Sequence, residues 1–364
     1  MGKSNSILLL YFIISLAVAL QVSGANWDVI WHGIVNVESF FTPPHAVIYS
    51  GVAIALISTI IALTISLREK QEIGRNIITR LRRIPVPLKL IILGCLVELF
   101  SGQFDNWWHS NFGFDGLLSP PHLLLISGMT LSIFGSLYGV RSNKTNTKLN
   151  TISLLFGYAV LWMVVINFIF MLTLPFSKGL RFDFNPDPAV ALVVGSILLP
   201  LFTCLIFMSA IKNINFKFRL TGVTALLMAM QSVSTILSNV YFVPIFPIYL
   251  MNLIPALIMD LFVIDKKNLE SLKSKNILVA SITMSVFVVT LFFPWSINIY
   301  KAYFGIDLDT FESVSLFNQL LTTFILPVLI PVSIGASLVG GLFGSKIYAF
   351  RETRRDSNEF AKMQ

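Results

Sequence analysis

The four histidines of this chain fall in two windows of the same pattern, residues 26–51 and 103–128. The windows align without gaps at an offset of 77 residues, and eight of their 26 positions are identical. Three of the aligned pairs combine residue types that bind metals: Asp28 with Asp105, His32 with His109, and His45 with His122. This recurrence indicates a duplicated site that uses two imidazoles and one carboxylate.

The spacing within each window indicates how these side chains meet. The Asp and the first His are four residues apart, so on a helix they lie on one face and can share a metal ion. The second His follows Thr-Pro-Pro or Ser-Pro-Pro, which predicts a helix start with the hydroxyl residue as N-cap and the His at N3. Each window therefore predicts a helix end, a short connection and a helix start that bring three ligands together. The predicted metal ligands are Asp28, His32, His45, Asp105, His109 and His122.

Three further carboxylates are candidates for supporting these ligands. Glu38 aligns with Asp115, and each could hold a ligating imidazole by its other N–H or be a solvated loop residue. Glu98 precedes Asp105 by seven residues and His109 by eleven, so all three share a helical face. An acidic residue at that depth in a membrane is costly, which predicts a partner, water or a proton path for Glu98.

Other roles for the histidines remain open on these residues alone. They could be polar anchors at the membrane surface, within an aromatic belt that includes Trp31 and Trp108. They could also be axial ligands of one or two b-type haems, a role that leaves the matched aspartates without a purpose. In a metal site, two imidazoles and a carboxylate suit iron, copper or zinc.

The composition determines the class of protein that carries these windows. Of 364 residues, 55% are hydrophobic and only 12% are charged, and the mean hydropathy is +0.79, which excludes an ordinary soluble protein. The sequence predicts an all-α, polytopic membrane helix bundle of about ten transmembrane helices, or nine if residues 1–25 are a cleaved signal peptide. The apolar stretches are at about 6–24, 45–67, 88–107, 121–140, 151–175, 189–211, 220–242, 245–264, 277–295 and 319–345.

The basic residues give this bundle an orientation. With the N-terminus inside, 23 of the 26 Lys and Arg residues fall on the cytoplasmic side, as the positive-inside rule requires. The C-terminus is then also inside, and both histidine windows face outside in a multi-pass protein of the cell membrane. The net charge of +8 therefore reflects orientation in the lipid bilayer and does not indicate a nucleic-acid partner.

Three regions follow one another along the chain. Residues 1–148 contain the duplicated motif, as tandem helical-hairpin repeats at about 26–67 and 103–144. Residues 149–345 are predicted to form a six-helix membrane region, which contains no histidine. Residues 346–364 form a basic cytoplasmic tail. The chemistry is therefore predicted to lie at the outer ends of the first helices.

The pattern Asp-x3-His-x12-His at the outer ends of consecutive membrane helices resembles the copper-site motif of the C subunit of the particulate methane and ammonia monooxygenases. The resemblance covers only the two windows. It implies that Asp28, His32 and His45 are one set of copper ligands and that Asp105, His109 and His122 are a second set. It also implies a copper membrane monooxygenase-like oxidoreductase, or a subunit of one.

Such a protein would act on a small apolar substrate from the bilayer, with electrons from quinol or an external donor and with other membrane subunits as partners. The runner-up functions are a haem-b electron-transfer membrane subunit and a metal transporter or chaperone. Both use the same histidines, as axial haem ligands or as ligands that pass a metal inward.

Overall fold

A computed structural model describes residues 3–34, 41–68, 84–113, 117–143, 147–173, 188–236, 250, 252–262 and 326–360. At residues 3, 32–34, 68, 188–192, 236, 262, 326 and 345–360 this description covers the backbone only. The described residues form helices and no strand. In chain order the helices are α1 (Lys3–Ile34), α2 (Pro43–Arg68), α3 (Val86–Phe112), α4 (Pro120–Ser142), α5 (Lys148–Thr173), α6 (Pro188–Asn213), α7 (Arg219–Ile236), α8 (Leu253–Phe262) and α9 (Leu326–Phe360).

The described helices confirm the predicted class of a helical, multi-pass membrane protein. Seven of them, α1 to α6 and α9, are long and apolar enough to cross a bilayer. Their outward surfaces are apolar: Ile57, Ile60 and Phe100 are 59%, 61% and 62% exposed. Surfaces of this kind are suited to lipid contact. The predicted spans 220–242 and 245–264 overlap α7 and α8, and the predicted span 277–295 lies outside the described residues.

The first of two compact units contains α1 to α5 and the C-terminal part of α7. In this unit α1 pairs with α2, α3 pairs with α4, and α1 also packs against α4. Ser136 of α4 donates a 2.6 Å hydrogen bond to the Tyr11 carbonyl of α1, and its hydroxyl lies 2.8 Å from that of Ser15. The Ser4 hydroxyl donates to Asn143 Oδ1 at 2.6 Å. The start of α1 and the end of α4 therefore lie at the same end of the unit.

The two hairpins of this unit have close crossings that glycine makes possible. A Cβ atom at Gly128 of α4 would lie 2.8 Å from the Gly94 carbonyl oxygen of α3. A Cβ atom at Gly51 of α2 would lie 2.6 Å from the Ala17 carbonyl oxygen of α1. Both crossings use positions that are 77 residues apart, the offset of the two histidine windows. The helix distances that position the two windows are therefore set at corresponding residues.

The second unit contains α6, the N-terminal part of α7, α8 and α9. Ser333 of α9 donates a 2.6 Å hydrogen bond to the Ser196 carbonyl of α6. Asp260 of α8 is only 2% exposed and accepts hydrogen bonds from the Thr221 N–H and hydroxyl at 2.8 Å and from the Leu220 N–H at 3.2 Å. A carboxylate at the first turn of α7 satisfies free N–H groups and complements the helix dipole. Buried hydrogen bonds of Asp260 therefore join α8 to the start of α7.

The close crossing of α3 and α4 predicts how Gly128 responds to substitution. Gly128→Ala places a methyl group against the backbone of α3, and overpacking of this kind costs about 1–3 kcal/mol. The expected result is a lower midpoint of thermal unfolding in detergent, followed by circular dichroism. The matched control is Gly335→Ala in α9, where the described residues leave the space around the new methyl open to 4 Å. We expect the control to be neutral or slightly stabilising, because alanine favours a helix over glycine by up to about 1 kcal/mol. Equal midpoints for Gly128→Ala and the wild type would show that the crossing is not tight.

Candidate metal site

Three of the six predicted ligands come together at the ends of α3 and α4. Asp105 Oδ1 lies 3.4 Å from His109 Nε2, one turn later in α3, and 3.3 Å from His122 Nε2 in α4. One ligand atom from each of the three residues lies within 4.8 Å of the others. All three side chains are partly buried. A metal ion bound here would therefore have three protein ligands and remain accessible from one side.

The end of α3 and the start of α4 position these side chains. Helix α3 ends at Phe112, and Gly113 follows with φ +77° and ψ −167°, while its N–H donates to the His109 carbonyl at 3.0 Å. Only glycine populates this region of φ and ψ readily. Helix α4 begins at Pro120 with an extended residue, Ser119, before it, so that His122 occupies the third helical position. This is the start that the Ser-Pro-Pro-His sequence predicts.

The predicted capping by the hydroxyl residue differs between the two copies. The Thr42 hydroxyl accepts a long, 3.4 Å hydrogen bond from the His45 N–H at the start of α2. The Ser119 hydroxyl is buried and makes no hydrogen bond to any described residue, so its predicted capping bond is absent. The first two residues of α4 are prolines, which have no N–H group that needs a partner. The proline pair and the extended N-cap backbone are therefore sufficient to begin α4.

The second nitrogen of each imidazole determines how the first can act. His109 Nδ1 lies 3.2 Å from the Gly113 carbonyl oxygen, and His122 Nδ1 lies 3.0 Å from the Leu117 carbonyl oxygen. A carbonyl oxygen only accepts, so in each ring Nδ1 carries the hydrogen. In the neutral imidazole, Nε2 then carries a lone pair, which is what a metal ligand needs. Metal-bound histidines typically donate their other N–H to a backbone carbonyl in this way.

The distances at Asp105 fit a metal better than they fit direct hydrogen bonds. A charge-assisted N–H···O bond is typically about 2.7–2.9 Å long. Two ligand atoms about 2.05 Å from a metal at the tetrahedral angle are separated by about 3.3 Å. The separations of 3.3 and 3.4 Å match the second geometry. Asp105 Oδ1 is also buried, and its contacts with His109 and His122 do not have the geometry of a good hydrogen bond. Two lone pairs and an anionic oxygen that face one another repel, and either a cation or a proton between them relieves this repulsion.

The first window has the corresponding contact between α1 and α2. Asp28 Oδ1 lies 3.3 Å from His45 Nε2, and both side chains are largely buried. The side chain of His32 and the whole of Glu38 lie outside the described residues, as does Asp115 of the second window. Of the proposed set Asp28, His32 and His45, the structure therefore places two members against each other.

Tyr49 of α2 connects the two windows. Its ring centroid lies 5.9 Å from that of His45, and a methyl group at Gly102 of α3 would lie 3.5 Å from Tyr49 Cε1. The Tyr49 hydroxyl lies within electrostatic range of both Asp28 and Asp105. The sequence patterns did not predict a role for this residue. One sequence feature could have indicated it: Tyr49 aligns with Ile126, so the two windows differ at the position four residues after the second histidine.

Glu98 lies two helical turns before Asp105, away from the second nitrogen of either ring. Its carboxyl oxygen Oε1 accepts a 3.0 Å hydrogen bond from the Ser132 hydroxyl of α4. The backbone carbonyls of Gly113 and Leu117 hold the two rings instead. A carbonyl acceptor has no side-chain signature, which is why the sequence could not indicate it.

No known protein family, no curated protein and no solved structure matches this chain. The chemistry of the site is therefore inferred from its own donor atoms. Two imidazole nitrogens and one carboxylate oxygen suit a transition metal with at least one open position.

The backbone conformation of Gly113 predicts that a substitution there weakens metal binding, although Gly113 is not itself a ligand. Gly113→Ala strains a conformation that alanine avoids, by about 1–3 kcal/mol, so the chain relaxes and the Gly113 carbonyl leaves His109 Nδ1. The loss of such a supporting partner typically weakens metal binding about 10- to 100-fold. The measurement is a competitive titration of purified protein with a chelator of known metal affinity. Gly102→Ala on the same helix is the control, because its methyl group makes only an ordinary 3.5 Å contact. Unchanged affinity in Gly113→Ala would contradict the proposed support of His109.

Proposed function

We propose that this chain is a membrane-embedded metal protein, and that Asp105, His109 and His122 bind one copper ion in an oxidoreductase that resembles the copper membrane monooxygenases or a subunit of one. The observation that carries the proposal is the convergence of two imidazole Nε2 atoms on one carboxylate oxygen at 3.3 and 3.4 Å. Bound copper would supply one-electron and dioxygen chemistry. The residues hold the ion, orient both rings and leave one side accessible.

Copper is favoured over iron and zinc by the resemblance of the motif, and the donor set is compatible with that choice. Imidazole binds copper, iron and zinc well, and divalent copper has the highest affinity of the first-row ions for a given site. A single carboxylate neutralises only part of the ionic charge. Such a site binds an anionic or polar ligand at its open position more readily than a site with more carboxylates.

The second half of the proposal is a paired site in the first window. Asp28 and His45 already stand 3.3 Å apart, and His32 would complete the set. The close crossings at Gly51 and Gly128 are consistent with tandem helical hairpins of common origin. Tyr49 lies within electrostatic range of both aspartates, and His45 lies within range of Asp105. The two windows are therefore neighbours, and metal ions bound in them would interact electrostatically.

The sites are proposed to face outside in a bundle of about ten spans. Ser4 and Asn143 bond to each other at one end of the first unit, and the ligands lie at the opposite ends of the same helices. Lys3, Arg68, Lys89 and Arg141 belong to the helix termini at the first end, which the positive-inside rule assigns to the cytoplasm. Electrons would then come from quinol in the bilayer or from an external donor, and a small apolar substrate would enter from the lipid.

A haem held between His109 and His122 is disfavoured by the position of Asp105. Its Oδ1 atom lies within 3.4 Å of both Nε2 atoms. In a haem with two axial histidines, the porphyrin occupies the space between the two rings. The carboxylate would clash with that porphyrin. Visible absorption of purified protein is a direct check, since a Soret band that disappears in His122→Ala would favour haem over a copper site.

The decisive experiment is metal analysis of purified protein with variants of each ligand set. Asp105→Asn and His122→Ala are expected to weaken copper binding by on the order of 100-fold or more, since each removes a ligand and not merely its support. Loss of the carboxylate in Asp105→Asn leaves the shape of the site unchanged, which separates charge from packing. Stoichiometry is measured by elemental analysis, and affinity by competition with a chelator.

Ser110→Ala is the matched control for these variants. Ser110 lies on the same turn of α3 as His109, is exposed, and bonds only to the Asn106 carbonyl among the contacts described. It is expected to bind metal like the wild type. His32→Ala and the double variant His32→Ala with His109→Ala test the paired site, and the double variant should lose more metal than either single one. Full metal retention in the double variant would overturn the proposed function.

A further inference from the structure

A second set of buried polar side chains lies deeper in the first unit than the proposed metal site. We call it the inner polar cluster: Gln21 of α1, Cys95 and Glu98 of α3, and Ser132 of α4. None of the four is more than 3% exposed. Glu98 precedes Asp105 by seven residues, which places it about 10 Å further along the helix axis. The proposed metal site makes no direct use of these residues.

The cluster has more hydrogen-bonding capacity than the described residues satisfy. The Ser132 hydroxyl donates to Glu98 Oε1 at 3.0 Å. Glu98 Oε2 and both amide atoms of Gln21 are buried without a hydrogen-bond partner in the described part of the chain. The Gln21 amide is the neighbour of the Glu98 carboxyl group, but the two groups do not have the geometry of a good hydrogen bond. Buried polar atoms of this kind are typically satisfied by a bound water molecule or by a proton shared between them.

The chemistry of the cluster favours a protonated Glu98. The groups that face it are an amide, a hydroxyl and the Cys95 thiol, and none of these is a cation. An ionised carboxylate without a cation is costly in an apolar interior, whereas a carboxylic acid can donate its O–H to the amide oxygen of Gln21. Ser132 then donates to the other oxygen. The neutral acid thus satisfies both of its oxygens.

Tyr49 lies beside α3 at a level between this acid and the metal site. The Tyr49 ring packs over Gly102, which lies on α3 between Glu98 and Asp105. Its hydroxyl is within electrostatic range of Asp105 and Asp28. A phenolic O–H can both donate and accept a hydrogen bond, so with water it can pass a proton along. No bulky side chain projects from α3 at Gly102.

We propose that Glu98 is a proton-exchanging acid in the membrane interior, and that cation binding at the Asp105 site drives its proton out. The second clause rests on the proposed function. In the step, the O–H bond of Glu98 breaks, its electron pair stays on the carboxylate, and a water molecule takes the proton to the solvent. A unit positive charge about 10 Å away, at an effective dielectric constant of about 20, favours this ionisation by on the order of tenfold.

Infrared difference spectroscopy of the full-length protein in detergent tests the acid directly. A protonated carboxyl group has a carbonyl-stretching band that shifts in deuterated water. We expect the wild-type protein to have such a band, Glu98→Gln to lack it, and Ser132→Ala to shift it by removing the donor to Oε1. The Ser132→Ala shift identifies the band even if Glu98→Gln does not fold. Identical bands in the wild type and both variants would overturn the proposal.

Two controls separate the acid from its coupling to the metal. Asp260→Asn should leave the band that shifts in Ser132→Ala unchanged, because the hydrogen-bond partners of Asp260 are Leu220 and Thr221. Titration with copper should reduce the band in the wild type and not in Asp105→Asn. A wild-type protein that binds copper with an unchanged band overturns the coupling. A band that Glu98→Gln abolishes in a protein that binds no copper supports the acid and overturns the proposed function.

Discussion

The geometry of the site depends on one electrostatic constraint, the meeting of two imidazole lone pairs with one anionic oxygen. The carbonyls of Gly113 and Leu117 hold the hydrogens of the rings on the far nitrogens, so the near nitrogens cannot both donate to Asp105 while neutral. Three electron-rich atoms within 4.8 Å of one another repel unless a cation or added protons intervene. In the proposed site, a metal ion would relieve this repulsion for all three atoms at once, whereas protonation of both rings would leave two positive charges adjacent. The helix ends keep the Asp105, His109 and His122 side chains at these short distances.

Contact between Asp105 of α3 and His122 of α4 requires the two helices to be close and correctly staggered. The ligand His122 is the third residue of α4, and Asp105 stands two turns before the end of α3. A side chain from each can reach a common point only if the helix axes are close, and Gly128 against Gly94 allows this approach. Proline at the first two positions of α4 fixes its start, and Gly113 turns the chain immediately after α3. Packing in the membrane thereby sets the distance, and backbone conformation at the helix ends sets the direction.

The sequence predicts these features to the extent that they depend on local spacing. Asp and His four residues apart on a helix share a face, and Ser-Pro-Pro-His begins a helix, so the grouping of Asp105 with His109 and the start before His122 could be foreseen. The acceptors of the ring N–H groups could not be foreseen, because any residue can supply a carbonyl and the choice depends on the path of the connection. Gln21 and Tyr49 were missed for a related reason. A polar residue in an apolar run has no motif, and only packing shows which neighbours leave its atoms without partners.

Electrostatics explains one of the positions at which the two repeats differ. At the offset of 77 residues, Glu98 corresponds to Gln21, Ser132 to Ala55 and Ile126 to Tyr49. Had both halves kept Glu at the inner position, two carboxyl groups would face each other in an apolar interior, and the proton of one would be held against the charge of the other. A Glu opposite a Gln avoids that repulsion and still provides an acceptor for the acid proton. Under the proposed function, the duplicated pattern would bind metal in both halves, and the proposed proton exchange would use an inner position at which the halves differ.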